Sequence, residues 1–203
     1  MELLSEILGA FISVGFIALI VVFQPEIRRF LLLLGTPTFI SKNKSRWLFW
    51  RPQMNGIENL DVDKIVKAVQ EMSNTKTGGL IVIAKQNELA QFTETGVVLD
   101  AVISESLIRN IFFGHNPLHD GAMIILRNRI KAAACVLPIT KNREFPGGYG
   151  LRHRAAVGVT ENTDAIAVVV SEETGGIAYT KNGQITTRVS ASDLKNFLEE
   201  EFN

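Results

Sequence analysis

The chain has 203 residues, of which 46% are hydrophobic, and its formal net charge is zero. This length suits one ordinary domain with an additional segment. The balanced charge excludes the broad basic surface of a typical nucleic-acid-binding protein, so no nucleic-acid partner is expected. The single cysteine, Cys135, cannot form an internal disulfide, which suits a reducing compartment.

The N-terminal segment has the composition of a membrane span. Residues 7–23 contain no charged side chain, and with Leu3 and Leu4 they approach the roughly 20 apolar residues that cross a bilayer. Lys and Arg residues follow this segment and none precedes it, which places the next domain in the cytoplasm. We therefore predict a single-pass transmembrane helix over 1–23 in the cell membrane; a buried core helix is the alternative.

Residues 24–56 are predicted to form a juxtamembrane amphipathic and linker segment. Charged residues alternate with a leucine-rich face over 26–34, as in helices that lie on a membrane surface. Trp47 and Trp50 suit anchoring at the membrane interface. The globular domain is predicted to occupy 57–203.

Helix and strand patterns interleave along the globular domain without strict βαβ order. Apolar residues at helical spacing predict a helix over 61–73, Ser104 is predicted as the N-cap of a helix that ends near Phe113, and Asn182-Gly183 predicts a hairpin. Strand patterns cover 80–84, 96–99, 123–126, 130–137, 165–170, 177–180 and 184–189, and further helices are predicted over 154–159 and 193–202. We therefore expect an α/β fold with a mixed β-sheet flanked by helices on both faces.

Three short motifs are candidates for a functional site. His119-Asp120-Gly121-Ala122 places a carboxylate, a ligand for divalent metals, beside a glycine that lets a ligand approach the backbone. The cluster at 152–154 offers two arginines, whose guanidinium groups bind phosphate bidentately, and a helix that begins there would add amide donors. The acidic segment 171–173 follows a strand end, a usual place for ligand contacts in α/β sheets. On the residues alone, an Asp-Gly turn, a solvated basic turn and a solvated acidic turn are the alternatives.

The two main motifs and their separation resemble the DGA and RHR signatures of diadenylate cyclases. The segment Leu99-Asp100-Ala101-Val102-Ile103-Ser104 resembles the family's sequence ahead of DGA. Ser171-Glu172-Glu173-Thr174-Gly175 resembles its acidic sequence after RHR. The resemblance covers roughly residues 57–190, and the N-terminal hydrophobic segment is similar to that of the membrane-bound, CdaA-type branch. One departure is Leu151, where relatives commonly carry threonine, so a side-chain hydroxyl contact to phosphate would be lost there.

The resemblance implies a membrane-tethered enzyme that condenses two ATP molecules into cyclic di-AMP, with Mg²⁺ or Mn²⁺, as a head-to-head homodimer. The implied catalytic residues are Asp120, Arg152, His153 and Arg154, and the implied metal ligands are Asp120, Glu172 and His153. The implied nucleotide contacts are Leu99, Asp100, Ala101, Ser104, Gly121, Ala122, Leu137, Leu151, Ser171, Glu172 and Glu173. Relatives also imply a YbbR-type regulator and a phosphoglucosamine mutase as partners. Two other hypotheses are a membrane-anchored module that binds ATP without turnover and a structural membrane adaptor.

Overall fold

The computed structural model describes residues 60–85, 89–114, 116–142, Phe145 and 147–202, together with Leu19 and Phe23. The chain divides into two units, Met1–Met54 and Asn55–Asn203, and the second unit contains the sheet and the helices that pack on it. Within the described ranges, no helix is both long and apolar enough to cross a bilayer. The predicted span over 1–23 and the predicted segment over 24–56 lie almost wholly outside those ranges, so both stay predictions.

Seven strands form one mixed sheet in the order β2-β4-β3-β1-β5-β6-β7. The strands are β1 (Gly79–Ile83), β2 (Val97–Val102), β3 (Ala122–Leu126), β4 (Arg129–Cys135), β5 (Ile166–Val170), β6 (Ile177–Lys181) and β7 (Gln184–Thr187). β1 pairs with β3 in parallel, and each of the other neighbouring pairs in this order is antiparallel. The predicted mixed sheet is confirmed.

Helices cover both faces of the sheet. The helices are α1 (Val62–Asn74), α2 (Ala90–Thr93), α3 (Glu105–Ile111), α4 (Leu151–Thr160) and α5 (Ala191–Phe202). Buried residues of α1, α3 and α5 pack with Ile81 and Ile83 on one face. Leu80 and Val82 face the other side and pack with buried residues of α4. Because alternate strand residues point to opposite faces, β1 contributes to two separate cores, and the predicted two-sided burial is confirmed.

Local chemistry sets several element ends as the sequence predicts. Ser104 is the N-cap of α3, and its Oγ accepts a hydrogen bond from the amide of Leu107 at 3.2 Å. Asn182 and Gly183 have φ values of 51° and 75° and form the tight turn between β6 and β7.

Helix α4 begins three residues before its predicted start at Arg154. Gly150 is its N-cap, with φ −72° and ψ 177°, and the Gly150 carbonyl accepts hydrogen bonds from the amides of His153 and Arg154. The predicted start was wrong because the apolar pattern begins only after the arginine cluster. The helical hydrogen bonds begin earlier in the chain, so the cluster lies within the helix. This places Arg152 and His153 in the first turn of α4.

Candidate active site

One end of the sheet borders a cavity of about 730 Å³, a size typical of small-molecule sites. In sheet order, the residues that border it are Cys135 of β4, Ala122 of β3, Leu80 of β1, Val170 of β5, Ile177 and Ala178 of β6, and Thr187 of β7. The first residues of α4 and the preceding segment 148–150 complete the wall. The cavity therefore follows the ends of six adjacent strands.

Asp120 stands on the cavity wall between a short 3₁₀ helix (Pro117–His119) and β3. Its exposed carboxylate forms no hydrogen bond or ion pair with the residues that the structure describes. Gly121 has φ +134°, and a Cβ atom there would lie 2.6 Å from the backbone carbonyl carbon of Ala134. The glycine is thus required by the close approach of β4, a stronger constraint than the ligand contact inferred from the sequence. A carboxylate without a protein partner is available to a ligand or a cation.

Arg152 spans the gap between the segment before β3 and the segment after β5. Its Nη1 donates to Glu172 Oε2 at 2.6 Å, and its Nη2 donates to the carbonyl oxygen of His119 at 3.4 Å. Its Nε is buried and has no acceptor among the described residues. A buried donor without an acceptor costs about 1–3 kcal/mol, so an anionic oxygen bound in the cavity would relieve this cost. The free amides in the first turn of α4 favour the same kind of ligand.

Gly78 lies directly against the Arg152–Glu172 ion pair. A Cβ atom at Gly78 would be 2.8 Å from Glu172 Cβ and 3.1 Å from Arg152 Nη1. From the sequence, this glycine was assigned no part in the site. It was missed because the two side chains that it accommodates are contributed by α4 and by the segment after β5.

His153 is buried but borders the cavity. Burial lowers the pKa of its imidazole, which is therefore neutral at pH 7. Its ring lies 5.1 Å from the Tyr149 ring, and Tyr149 lies 5.7 Å from Phe145, measured between ring centroids. The Arg154 guanidinium is 5.7 Å from the centroid of Phe145. Arg154 does not itself border the cavity; it lies against Phe145, whose ring packs on Tyr149, an aromatic residue of the cavity wall.

The acidic segment after β5 also borders the cavity. Ser171, Glu172 and Glu173 are all part of the wall, and Ser171 Oγ accepts a hydrogen bond from the amide of Thr174 at 3.3 Å. Across the described ranges, no three His, Cys, Asp or Glu side chains come close enough to form a metal site by themselves. Asp120 and Glu172 nevertheless place two carboxylates on one cavity.

Ten of the predicted site residues border this cavity: Asp120, Gly121, Ala122, Leu137, Leu151, Arg152, His153, Ser171, Glu172 and Glu173. Four predicted nucleotide contacts do not: Leu99, Asp100, Ala101 and Ser104. Asp100 forms ion pairs with Lys131 at 2.7 Å and Arg129 at 3.1 Å, and hydrogen bonds from these two residues lower its pKa. Leu99 packs against the core and Ser104 caps α3. Leu99, Asp100 and Ser104 thus make contacts within the fold itself. A role for any of the four residues in nucleotide binding stays a prediction.

Several residues of the cavity wall belong to no motif that identified them as site residues in the sequence. Tyr149 and Ile139 lie outside every predicted helix and strand. Thr187 is the last residue of β7 and Arg188 follows it, in a predicted strand to which no function was assigned. Cys135 is the single cysteine of the chain. It is buried and lies on the cavity wall, and burial raises the pKa of its thiol to about 11.

Known proteins are similar to this chain over most of its length. Residues 66–185 match the family described as DisA bacterial checkpoint controller nucleotide-binding. The chain is 39% identical to cyclic di-AMP synthase CdaA of Bacillus subtilis, over 94% of the chain and 67% of that protein. It is 42% identical to a diadenylate cyclase of Listeria monocytogenes, over 92% of the chain and 66% of that protein. The chain thus spans about two thirds of the length of these curated relatives.

Solved structures share the fold. A double mutant of DacA from Staphylococcus aureus aligns with a TM-score of 0.68 and 41% identity, over 70% of this chain and 94% of that one. A hypothetical membrane spanning protein from Bacillus cereus aligns with a TM-score of 0.63 and 33% identity, over 84% of this chain and 80% of that one.

Proposed function

Because the chain belongs to the DisA-type diadenylate cyclase family of enzymes, we propose that it condenses two ATP molecules into cyclic di-AMP and two pyrophosphates. The observation that carries this proposal is that Asp120, Arg152 and Glu172 meet on one cavity of nucleotide size. In each half-reaction a bond forms between a ribose 3′-oxygen and the α-phosphorus of the other ATP. The bond from that phosphorus to the bridging oxygen of the β-phosphate breaks, pyrophosphate departs, and the hydroxyl proton is lost to solvent.

The strand order suggests how ATP lies in the cavity. Leu137, beyond the end of β4, lies on the side we assign to the adenine, and Asp120, before β3, is next to the ribose. Arg152, which bridges the β3 and β5 sides, then contacts the α-phosphate. Its planar guanidinium and buried Nε match the oxygens of a phosphate that gains charge during transfer.

The residues on the wall fit a divalent cation. Mg²⁺ is usually bound through one or two carboxylates together with substrate phosphates, so the lack of a three-residue cluster in the described ranges does not conflict with a metal. Asp120 and Glu172 would hold the ion, with neutral His153 as a further ligand. When bound, a divalent cation lowers the pKa of a coordinated hydroxyl and neutralises phosphate charge. Oxygen ligands favour hard ions and do not distinguish Mg²⁺ from Mn²⁺.

The reaction joins two nucleotides, and one cavity has room for one ATP. Two copies of the chain must therefore face each other, cavity to cavity. Leu151 and Val136 border the cavity with 72% and 68% of their surfaces exposed, and apolar residues at the rim suit burial against a second copy. The same proposal includes a tether to the cell membrane through 1–23, with the catalytic domain in the cytoplasm. It also includes two partners, a YbbR-type regulator and a phosphoglucosamine mutase.

The test is to incubate the purified chain with ATP and either Mg²⁺ or Mn²⁺ and to separate the nucleotides by chromatography. We expect cyclic di-AMP and pyrophosphate in a ratio of one to two, at a rate per subunit that rises with protein concentration as the dimer forms. ATP binding without product under either metal, by a chain that light scattering shows to be dimeric, would favour the non-catalytic ATP-binding module. Leu151, which offers phosphate a backbone amide and no hydroxyl, is the residue that motivates that second hypothesis.

Gly78→Ala is expected to lower kcat/KM for ATP by about 10- to 100-fold, because the new methyl group displaces Arg152 and Glu172 from each other. Displacement of a positioning group by about 1 Å is enough for a loss of this size. Steady-state kinetics would measure the loss, and the melting temperature would show whether the fold is intact.

Gly114→Ala is the matched control for this substitution, since no atom of the described residues beyond its chain neighbours lies within 4 Å of a Cβ atom placed at Gly114. It should leave kcat/KM unchanged. If Gly78→Ala were equally silent, the Arg152–Glu172 geometry would not matter for turnover.

A further inference from the structure

The cavity extends past the residues that the sequence motifs identify. Beyond Glu172 its wall continues along β6 and β7 to Thr187 and Arg188. Thr187 pairs with Ala178 of β6, which also borders the cavity. At about 4.8 Å per strand, two further strands carry the wall roughly 10 Å beyond β5. This length of wall remains after the base, the ribose and the α-phosphate have been placed.

Arg188 is the cation that is available on this part of the wall. The cavity is bordered by two arginines, Arg152 and Arg188, among the described residues. Arg152 is already ion-paired with Glu172 at 2.6 Å. Arg188 is exposed, and its guanidinium forms no hydrogen bond or ion pair with any part of the chain that the structure describes. Its charge is thus free to meet that of a ligand.

The backbone of Arg188 is held in an unusual conformation. Its φ is +58°, in the left-handed region that non-glycine residues seldom adopt. The next residue, Val189, donates its amide hydrogen to the carbonyl of Ile177 at 3.1 Å, which ties the end of β7 to the start of β6. Such outliers occur preferentially at functional sites, where surrounding contacts hold them in place. Here the constrained turn keeps Arg188 at the cavity.

We infer that Arg188 binds the distal phosphates of ATP and, after the reaction, the pyrophosphate leaving group. This inference rests on the proposed function. With the adenine near β4, the ribose at Asp120 and the α-phosphate at Arg152, the β- and γ-phosphates extend toward β6 and β7. A guanidinium pairs bidentately with phosphate oxygens. Pyrophosphate then leaves from the β7 end of the cavity, away from the ribose that has been joined.

The test compares ligands with and without distal phosphates. Arg188→Asn removes the guanidinium and suits the left-handed backbone, which asparagine tolerates. For this variant we expect about tenfold weaker binding of an ATP analogue with a methylene between its α- and β-phosphorus atoms. Inhibition by inorganic pyrophosphate should weaken by a similar factor, and the affinity for AMP should be unchanged. Arg188→Lys should lie between the variant and the parent.

Arg109→Gln is the control, because Arg109 is a surface arginine of α3 that does not border the cavity. It should change none of these affinities. Equal weakening of AMP and the ATP analogue by Arg188→Asn would indicate a structural effect and overturn the inference, as would unchanged affinity for both. A parent chain that binds the analogue but makes no cyclic di-AMP would refute the proposed reaction. The comparison of the analogue with AMP would still test the role of Arg188.

Discussion

Asp120→Asn is expected to lower the rate of cyclic di-AMP formation by roughly 10³-fold while ATP still binds. The substitution keeps the size of the side chain and removes the charge that would hold a divalent cation beside the ribose hydroxyl. The loss of several kcal/mol of transition-state stabilisation corresponds to this factor, since each 1.4 kcal/mol is about tenfold. Chromatography of the products would measure the rate, and calorimetric titration with the methylene ATP analogue would measure binding.

Asp63→Asn provides the matched control for the loss of a carboxylate. Asp63 is an exposed residue of α1 that pairs with Lys195 at 2.7 Å, and exposed pairs of this kind contribute little to stability. We expect this variant to keep full activity. Asp120→Asn activity within about threefold of the parent would show that Asp120 neither holds the cation nor assists the hydroxyl.

Arg152→Gln is expected to lower kcat/KM for ATP by about 100-fold. The variant loses the donors that would contact the α-phosphate, and removal of one such donor from a site that stabilises developing charge has an effect of this order. It also leaves Glu172 without its ion-pair partner. Arg152→Lys restores the charge without the planar donor geometry and should recover only part of the activity.

Arg154→Gln tests whether the two arginines of the motif have different roles. The Arg154 guanidinium lies against Phe145 and does not border the cavity. We therefore expect a lower melting temperature and a smaller loss of kcat/KM than for Arg152→Gln. A larger loss for Arg154→Gln, at unchanged stability, would place the phosphate contact on Arg154 and contradict the assignment to Arg152.

The features that were predicted correctly depend on short stretches of chain. Ser104 caps a helix because its hydroxyl reaches an amide three residues later, and the Asn182-Gly183 turn forms because both residues tolerate positive φ. In each case the deciding interaction lies within four residues, so the sequence contains it directly.

The parts that escaped prediction depend on residues far apart in the chain. Nothing near Gly78 indicates that its missing side chain makes room for Arg152, 74 positions later. The motif Arg152-His153-Arg154 does not reveal which side chain faces a ligand, because the start of α4 sets that direction. Arg188 reaches the cavity only through strand pairing. Such contacts follow from the sheet order, which periodicity alone does not determine.

The order of strands around the cavity also has a consequence for folding. Gly79 pairs with Val170, and the wall runs from Leu80 to Arg188, so the site is complete only when distant parts of the chain meet. Pairings between strands that are far apart in the sequence form slowly, and a partly folded chain has no complete cavity. Nucleotide therefore stabilises the finished sheet and no earlier state. A chain emerging from the ribosome will reach its full affinity for ATP only after its last strand is released.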